Sequence, residues 1–370
     1  MFLRYSQMLF LILFMITITN IRAQTRPLTK KNVIIRPFNN TVSALFVFGD
    51  STVDSGNNNF ISTVSKCNFY PYGRDFVNHI PTGRFTNGRL VTDFMASYIR
   101  LKEFVPPYLD PTLSLEERMT GVSFASGGSG FDPVTAQISG VIPLQVQLEY
   151  FKEYKMRLVN EIGEERTKLL ISKASFMISA GTNDFVINYF NTQFRRQFYT
   201  VSAYQQFLLQ HTQKFLQDLM AEGARLIGIV GLPPFGCLPV VITMNTAGNP
   251  LRPRQCIDSY SVVGKEYNFL LQNMLKNMNM NMNGTKLTYG DIYNPLYDMV
   301  QNPHKYGFDN IYSGCCGTGL FEVAILCNPN SIVCGNASKF IFWDAVHPTQ
   351  ATYYNLFKSL RPTIDIILKQ

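Results

Sequence analysis

The sequence contains few of the residues and motifs that most directly indicate a function. Its 370 residues include only one tryptophan and four histidines, and the 25 acidic residues are fewer than the 33 lysines and arginines. It contains no C-x-x-C pair, no G-x-S-x-G pattern, and no glycine-rich loop with dinucleotide spacing or a Walker lysine. These absences exclude C-x-x-C zinc sites, the nucleophile elbow of α/β-hydrolases and the common nucleotide-binding loops. The sequence predicts neither a metal nor a cofactor.

No apolar run reaches the roughly 20 residues that a membrane-spanning helix needs. The N-terminal run at 8–19 follows Arg4 and is followed by the small residue Ala23. A basic start, a short apolar run and a small residue are typical of a secretory signal peptide, which we predict at residues 1–23. An uncleaved membrane anchor is the alternative. After removal of the signal we expect no integral membrane span and a secreted, extracellular protein of the cell wall or apoplast.

Positive charge is not concentrated on any one element. The formal net charge is +8, and loss of residues 1–23, with two arginines and no acid, leaves +6. A nucleic-acid-binding protein would gather its basic residues on one element or interleave them with aromatic residues, so we predict no nucleic-acid partner. Attraction to a polyanionic extracellular matrix stays open. We predict a flexible segment at residues 24–42, whereas the oligomeric state does not follow from the sequence.

The seven cysteines fit an oxidising compartment. Cys237 and Cys256 flank a loop rich in Pro, Gly and Asn and predict one local disulfide. The four cysteines between 315 and 334 predict two more, with their pairing left open, and Cys67 is predicted to be free or buried. N-x-S/T sequons, which are glycosylation candidates in a secreted protein, occur at Asn39, Asn283 and Asn336.

Short, almost continuously apolar segments alternate with amphipathic ones. The former are typical of strands buried on both faces of a parallel sheet. We predict strands at 44–48, 122–126, 174–180, 225–233 and 286–293. The amphipathic segments predict helices at 87–101, 142–159, 204–223, 258–278 and 348–368, the last with Pro348 as its first helical residue. With no linker and no long repeat, residues 43–370 are predicted to form a single doubly wound α/β domain.

Chemically useful residues follow several of these strands, where sites form in such a sheet. Ser51 ends the first strand, Asn183 follows the third, and Asp344 precedes His347 just before the last helix. A serine needs a base and the base needs an orienting acid, so we predict Ser51, His347 and Asp344 as the catalytic residues. We predict oxyanion donors in the Ser51 N–H, the Gly127 N–H and the Asn183 amide, although Gly128 is an alternative to Gly127.

Each residue also has an ordinary structural explanation. A serine after a strand is often a helix N-cap, an asparagine there often forms an Asx-turn, and a histidine can simply be packed. It is their joint occurrence at element boundaries that favours catalysis. We further expect the turn at Gly49 to place Ser51 at a helix N-terminus, where partial positive charge favours an oxyanion.

Four segments of the chain resemble the conserved blocks of the plant GDSL esterase/lipase family, a branch of the SGNH hydrolases. They read FVFGDSTVDSGNNN, GVSFASGGSGFD, SAGTNDF and FWDAVHPTQ, and the similarity extends from Ala44 to the C-terminus with further motifs such as YPYGRDF. The resemblance implies a three-layer α/β/α, flavodoxin-like SGNH hydrolase fold with a central parallel sheet, and it implies the same five site residues. Two positions depart from the family pattern: Thr52 stands where Leu is expected, and Ser123 where Asn is common.

The function expected from these residues is a secreted serine esterase or lipase. It would hydrolyse carboxylic esters, either lipid acyl esters or ester-linked cell-wall material, through an acyl-enzyme on Ser51. An acyltransferase that uses the same acyl-enzyme is one alternative. A non-catalytic cell-wall binding protein on the same scaffold is another.

Overall fold

The structure is a computed structural model that describes residues 42–246, 253–281 and 284–368. The predicted signal peptide at 1–23, nearly all of the segment at 24–42, and the sequons at Asn39 and Asn283 lie outside the described residues. The strands are β1 (Leu45–Gly49), β2 (Ser175–Ser179), β3 (Leu226–Val230), β4 (Lys286–Gly290), β5 (Asn310–Gly314) and β6 (Phe340–Phe342).

The described helices lie between these strands and after the last one. They are α1 (Val91–Tyr98), α2 (Leu115–Met119), α3 (Pro133–Ser139), α4 (Leu144–Ile162), α5 (Glu164–Ser172), α6 (Val201–Ala221), α7 (Pro239–Thr246), α8 (Asp258–Met280), α9 (Tyr293–Gln301) and α10 (Gln350–Leu368). A π-helical segment, Asp184–Asn191, follows β2. Short 3₁₀ turns lie at Asn57–Phe60, Val77–His79, Arg195–Gln197, Phe235–Cys237, Pro303–Tyr306, Ala324–Leu326 and Ala337–Lys339.

Four strands form a parallel sheet in the order β1-β2-β3-β4. Leu45 lies opposite Ser175, and Phe176 lies opposite Ile227, so the strands start in register. Their carboxyl ends therefore meet at one edge of the sheet. The predicted α/β fold with a central parallel sheet is confirmed. A separate parallel pair, β5 and β6, precedes α10.

Helices cover both faces of the sheet. Successive residues of a strand point to opposite faces. The ring of Phe176 contacts the ring of Phe151 on α4, at 5.5 Å between centroids. Its neighbour Met177 lines the same cavity as Leu356 of α10. One layer thus contains α4, α6 and α8, which contact one another in turn, and the other contains α10 with α1 and α9 packed against it.

Two local predictions were wrong. The segment at 122–126 makes three backbone hydrogen bonds with β1 and bridges it at Val47 and Ser123, but it does not continue as a regular strand. The Gly49 N–H donates to the side chain of Gln147 at 2.9 Å and not to this segment, so one bond of a regular ladder is missing, although the Gly49 carbonyl still accepts the Ser126 N–H at 3.0 Å. Pro348 is not the first helical residue either, since it bridges to Phe342 and α10 begins at Gln350.

Three disulfides cross-link the C-terminal part of the chain. The predicted Cys237–Cys256 bridge is present, and the remaining pairs are Cys315–Cys334 and Cys316–Cys327. Cys67 is free and buried, as predicted. Among the described helices, none combines the length and the apolar character that crossing a membrane requires.

Candidate active site

Ser51 lies in a tight turn immediately after β1. The preceding Gly49 has a φ of +140°, and a Cβ there would lie 1.9 Å from the carbonyl oxygen of Ser179, so only glycine fits. The Asp50 N–H donates to that same carbonyl at 2.9 Å, which ties the end of β1 to the end of β2. The turn closes when the Val53 N–H donates to the Asp50 carbonyl.

The expectation that Ser51 begins a helix was wrong. Residues 51–53 form a turn, and helical structure first appears in the 3₁₀ turn Asn57–Phe60. The Asp50 carboxylate accepts hydrogen bonds from the N–H and hydroxyl of Thr52, at 2.9 and 2.7 Å. The Asp54 carboxylate accepts two backbone N–H groups in the same way. Such local side-chain bonds compete with helix formation, so no helix dipole acts on Ser51.

Asp344 and His347 lie on the loop between β6 and α10. The Asp344 carboxylate oxygen Oδ1 accepts the N–H groups of Val346 and His347, at 2.8 and 2.7 Å. The Trp343 N–H donates to the His347 carbonyl at 2.7 Å, which closes the loop. This D-x-x-H turn therefore holds the carboxylate against the imidazole of the same segment.

The fold brings the three predicted catalytic residues into one hydrogen-bonded chain. His347 Nδ1 lies 2.7 Å from Asp344 Oδ2, and His347 Nε2 lies 2.7 Å from Ser51 Oγ. Exposed fractions are 6% for Ser51, 3% for His347 and zero for Asp344, so the chain is shielded from bulk water. A neutral imidazole that donates from Nδ1 to the carboxylate accepts the serine proton at Nε2.

Two aromatic residues support this arrangement from either side. The Tyr72 hydroxyl donates to Asp344 Oδ2 at 2.7 Å and accepts the Ala324 N–H at 2.9 Å. Burial, and then the Asp344 charge, raise the pKa of Tyr72 well above its ordinary value, so the phenol stays a donor. The ring of Phe85 packs on the His347 ring, with 5.0 Å between centroids.

Two further buried carboxyl groups lie in the Ser51 segment. Burial raises the pKa of Asp50 to about 6, against the opposing effects of the Thr52 donors and the His347 charge. Burial likewise raises the pKa of Asp54 to about 6, although backbone donors from Gly56, Gly127 and Asn57 oppose the rise. Because each accepts several hydrogen bonds, both groups serve to hold the turn rather than to face a substrate.

The Gly127 N–H, which we predicted as an oxyanion donor, already makes a hydrogen bond in the structure. It donates to Asp54 Oδ2 at 2.9 Å, so it is not free for an oxyanion in this conformation. The next residue, Gly128, has a φ of +98°, and its N–H makes no hydrogen bond within the described residues. The Ser51 N–H is also without a partner there. Of the two glycines, Gly128 offers the available donor.

Asn183 sits at the carboxyl end of β2, next to this glycine loop. Its amide Nδ2 donates to the Ser129 carbonyl at 2.9 Å, while its side chain makes no cap bond to the following π-helical segment. The amide has a second hydrogen with no acceptor among the described residues. The Asx-turn alternative is therefore absent from this structure, and the amide is oriented by the glycine loop.

Four supporting residues were missed by reasoning from the sequence. Asp184 accepts the N–H groups of Phe131 and Asp132 and so anchors the glycine loop to β2. Burial raises the pKa of Asp184 to about 7. The other three are Tyr72, Asp54 and Gln147. Each left a signal: Tyr72, Asp54 and Asp184 lie in segments that resemble the family blocks, and Gln147 is a polar residue on the buried face of a predicted amphipathic helix. Among the described residues, no three acidic, histidine or cysteine side chains are grouped to hold a metal.

Comparison with known proteins gives a consistent result. The model of the GDSL-like lipase/acylhydrolase family matches residues 45–360. The chain belongs to this family. A GDSL esterase/lipase of Arabidopsis thaliana is 55% identical over 89% of this chain and 88% of its own length. Two others from the same plant are each 43% identical, over 88% and 84% of this chain and 90% and 87% of their own lengths. The predicted family and the assignment to the carboxylic ester hydrolases are confirmed.

Among solved structures, LAE5, an α/β hydrolase from the metagenome of Lake Arreo, aligns over 88% of this chain and 96% of its own. The TM-score is 0.41 and the identity 11%. At those values the likeness carries no argument about the site. The fold assignment rests on the parallel sheet and on family membership.

Proposed function

We propose that this GDSL-family hydrolase is a secreted serine esterase or lipase that cleaves carboxylic esters through an acyl-enzyme on Ser51. The observation that carries the proposal is the buried hydrogen-bonded chain from Ser51 Oγ through His347 to Asp344. A packed histidine would not need both ring nitrogens aligned between a serine hydroxyl and a carboxylate. Lipid acyl esters and ester-linked cell-wall material are the substrate classes.

In the proposed reaction the Ser51 oxygen attacks the ester carbonyl while His347 Nε2 takes the hydroxyl proton. Asp344 keeps the Nδ1 proton in place and stabilises the imidazolium that forms. When the tetrahedral intermediate collapses, the alcohol leaves with the proton from Nε2 and the acyl group stays on Ser51. A water molecule, activated by the same nitrogen, then releases the carboxylic acid and restores the serine.

The negative charge of the tetrahedral intermediate requires fixed donors. The Ser51 N–H and the second amide hydrogen of Asn183 are assigned this role. The third donor, predicted at Gly127, is assigned to Gly128, because the Gly127 N–H already donates to Asp54. The support for this assignment is that the three donors have no other acceptor among the described residues.

Ser51→Ala tests the nucleophile, and Ser55→Ala is its matched control. Ser55 is a buried serine four residues later whose hydroxyl makes no hydrogen bond within the described residues. We expect Ser51→Ala to lose more than about 10³-fold in kcat on a p-nitrophenyl ester, while Ser55→Ala stays near wild type. A fluorophosphonate probe should label wild type and Ser55→Ala, but not Ser51→Ala. Labelling or turnover by Ser51→Ala contradicts the proposal.

An acyltransferase would share every residue of this site. Product analysis with and without an acceptor alcohol separates the two activities. Hydrolysis predicts free carboxylic acid as the main product even when the alcohol is present. A transferase would instead form the new ester whenever the acceptor is added.

Secretion to the cell wall or apoplast is the compartment we propose. Three disulfides are consistent with an oxidising compartment. The sequon residue Asn336 is exposed, next to one of these bridges, and is the proposed glycosylation site among the described residues. Expression through a secretory pathway should yield a chain lacking residues 1–23, and glycosidase treatment should lower its mass. The Asn336→Gln variant should lose the part of that shift due to Asn336.

A further inference from the structure

An apolar cavity lies at the carboxyl edge of the sheet, beside the segments that carry the candidate active site. Its lining includes Thr52, Thr182 and Val346, which are the sequence neighbours of Ser51, Asn183 and His347. The carboxyl ends of β2 and β3 form one wall, and α9 and α10 form the opposite wall. The cavity therefore adjoins all three segments that carry the proposed chemistry.

Most of the side chains that line this cavity are apolar. The three hydroxyl residues Thr52, Ser179 and Thr182 line it next to the candidate site in sequence or at the end of β2, and the Thr52 hydroxyl is already bonded to Asp50 and lies 2.9 Å from the Ser179 hydroxyl. The helices contribute mainly apolar side chains, such as Leu296 of α9 and Leu360 of α10. On α10 the lining positions are spaced by three and four residues, so one stripe of the helix faces the cavity.

The lining decides what the cavity can hold. Of the residues that the structure describes, none with a formal charge lines it, so a sugar acid, phosphate or ammonium group would find no partner. The cavity volume is about 60 Å³. Since an apolar cavity of about 150 Å³ holds the six carbons of benzene, there is space for about two to three carbon atoms. An uncharged, short aliphatic chain fits both limits.

We propose that this cavity binds the acyl chain of the ester and selects acyl groups of about three to four carbons, the carbonyl carbon included. The proposal rests on the proposed function, because it places the chain attached to the carbonyl that Ser51 attacks. Burying one methylene is worth about 0.8 kcal/mol, or roughly a fourfold gain in kcat/KM. We therefore expect kcat/KM to rise about fourfold per methylene from acetyl toward butanoyl esters, and to fall for octanoyl and longer chains.

Two substrate series test which half of the ester uses the cavity. In the first, the alcohol is p-nitrophenol and the acyl chain varies from two to sixteen carbons. In the second, the acyl group is acetyl and the aliphatic alcohol varies over the same range. A maximum in the first series with a flat second series supports the proposal. A dependence found only in the alcohol series overturns it.

Variants of Leu296, buried on α9, test the location. Leu296→Trp fills the cavity and should lower the butanoyl-to-acetyl ratio of kcat/KM at least tenfold. Leu296→Ala and Leu360→Ala enlarge it and should move the best chain length up by two to three carbons. Met299→Ala is the control, because Met299 is also fully buried on α9 but does not line the cavity. It should leave the chain-length profile where wild type has it.

The outcomes separate the two proposals. If wild type hydrolyses esters but the profiles of the Leu296 and Leu360 variants match wild type, the cavity assignment is wrong and the esterase proposal stands. If wild type hydrolyses no ester of either series and resists the fluorophosphonate probe, the esterase proposal fails, and the cavity proposal fails with it. Since each variant is judged by a ratio between two substrates, a smaller folded fraction cannot imitate either result.

Discussion

Replacing Tyr72 by phenylalanine removes one oxygen atom that the structure places between the active site and a disulfide-bonded loop. The hydroxyl donates to Asp344 Oδ2 at 2.7 Å and accepts the Ala324 N–H at 2.9 Å. Tyr72 is fully buried beside Trp343, so no water can replace the lost oxygen without rearrangement. The change therefore leaves one carboxylate oxygen of the acid held only by the imidazole.

The magnitude follows from the bonds lost and the bonds kept. A hydrogen bond to a charged group contributes about 1.5–3 kcal/mol, and this sets the upper limit of the kinetic effect. Asp344 keeps the two backbone donors on Oδ1 and the bond to His347, so its orientation is weakened and not abolished. We expect kcat to fall about 10- to 100-fold with little change in KM, because the acid acts on charge that develops in the transition state.

Tyr154→Phe is the matched control for this experiment. Tyr154 is also fully buried, and its hydroxyl donates to the Arg118 carbonyl at 2.9 Å, on a helix that packs on the other face of the sheet. Both variants should lose comparable stability in urea unfolding, but only Tyr72→Phe should lose kcat on a p-nitrophenyl ester. If the two variants retain kcat values within about twofold of each other, the reasoning that Tyr72 positions the acid is refuted.

Three other perturbations have definite expected outcomes. Asn183→Ala should lower kcat by about 10²–10³-fold with little change in KM, and Asn183→Asp should be at least as harmful; a nearly active Asp variant would exclude the oxyanion role. Burial raises the pKa of Asp184 from 3.8 to about 7, so this carboxyl group loses its proton at a lower pH in the unfolded chain than in the folded one. Its contribution to the free energy of unfolding therefore decreases as the pH rises from about 4 to 7. Urea unfolding at pH 5 and pH 8 should show that loss, and Asp184→Asn should show less of it; equal pH slopes would count against the burial argument. Replacing Cys316 and Cys327 together by serine frees the loop that carries the donor to Tyr72, so kcat should fall; an unchanged kcat would show that the bridge does not support the site.

Much of the fold could be predicted because local pattern and global architecture agree. Almost continuously apolar segments at 44–48, 174–180 and 225–233 correspond to strands, since a strand covered on both faces needs apolar side chains at nearly every position, and the less apolar segment at 286–293 corresponds to the edge strand β4. The segment at 122–126 has the same composition but lies at the edge of the sheet. There, the side chain of Gln147, more than twenty residues further along, accepts the Gly49 N–H, which a regular fifth strand would need. The local sequence pattern at 122–126 cannot predict this hydrogen bond to a distant side chain.

In the active site, too, the sequence determines some features and the tertiary structure determines the others. The residue types at the strand ends determined which chemistry is available, because a serine, a histidine, an aspartate and an asparagine leave few alternatives once they share a sheet edge. Tertiary structure alone decided which atoms are free to act: Asp54 takes the Gly127 N–H, and Tyr72 lies 272 positions before the carboxylate it supports. Hydrogen-bond partners depend on distances of a few tenths of an ångström between segments remote in sequence, whereas hydrophobic burial depends on composition, which each segment carries by itself.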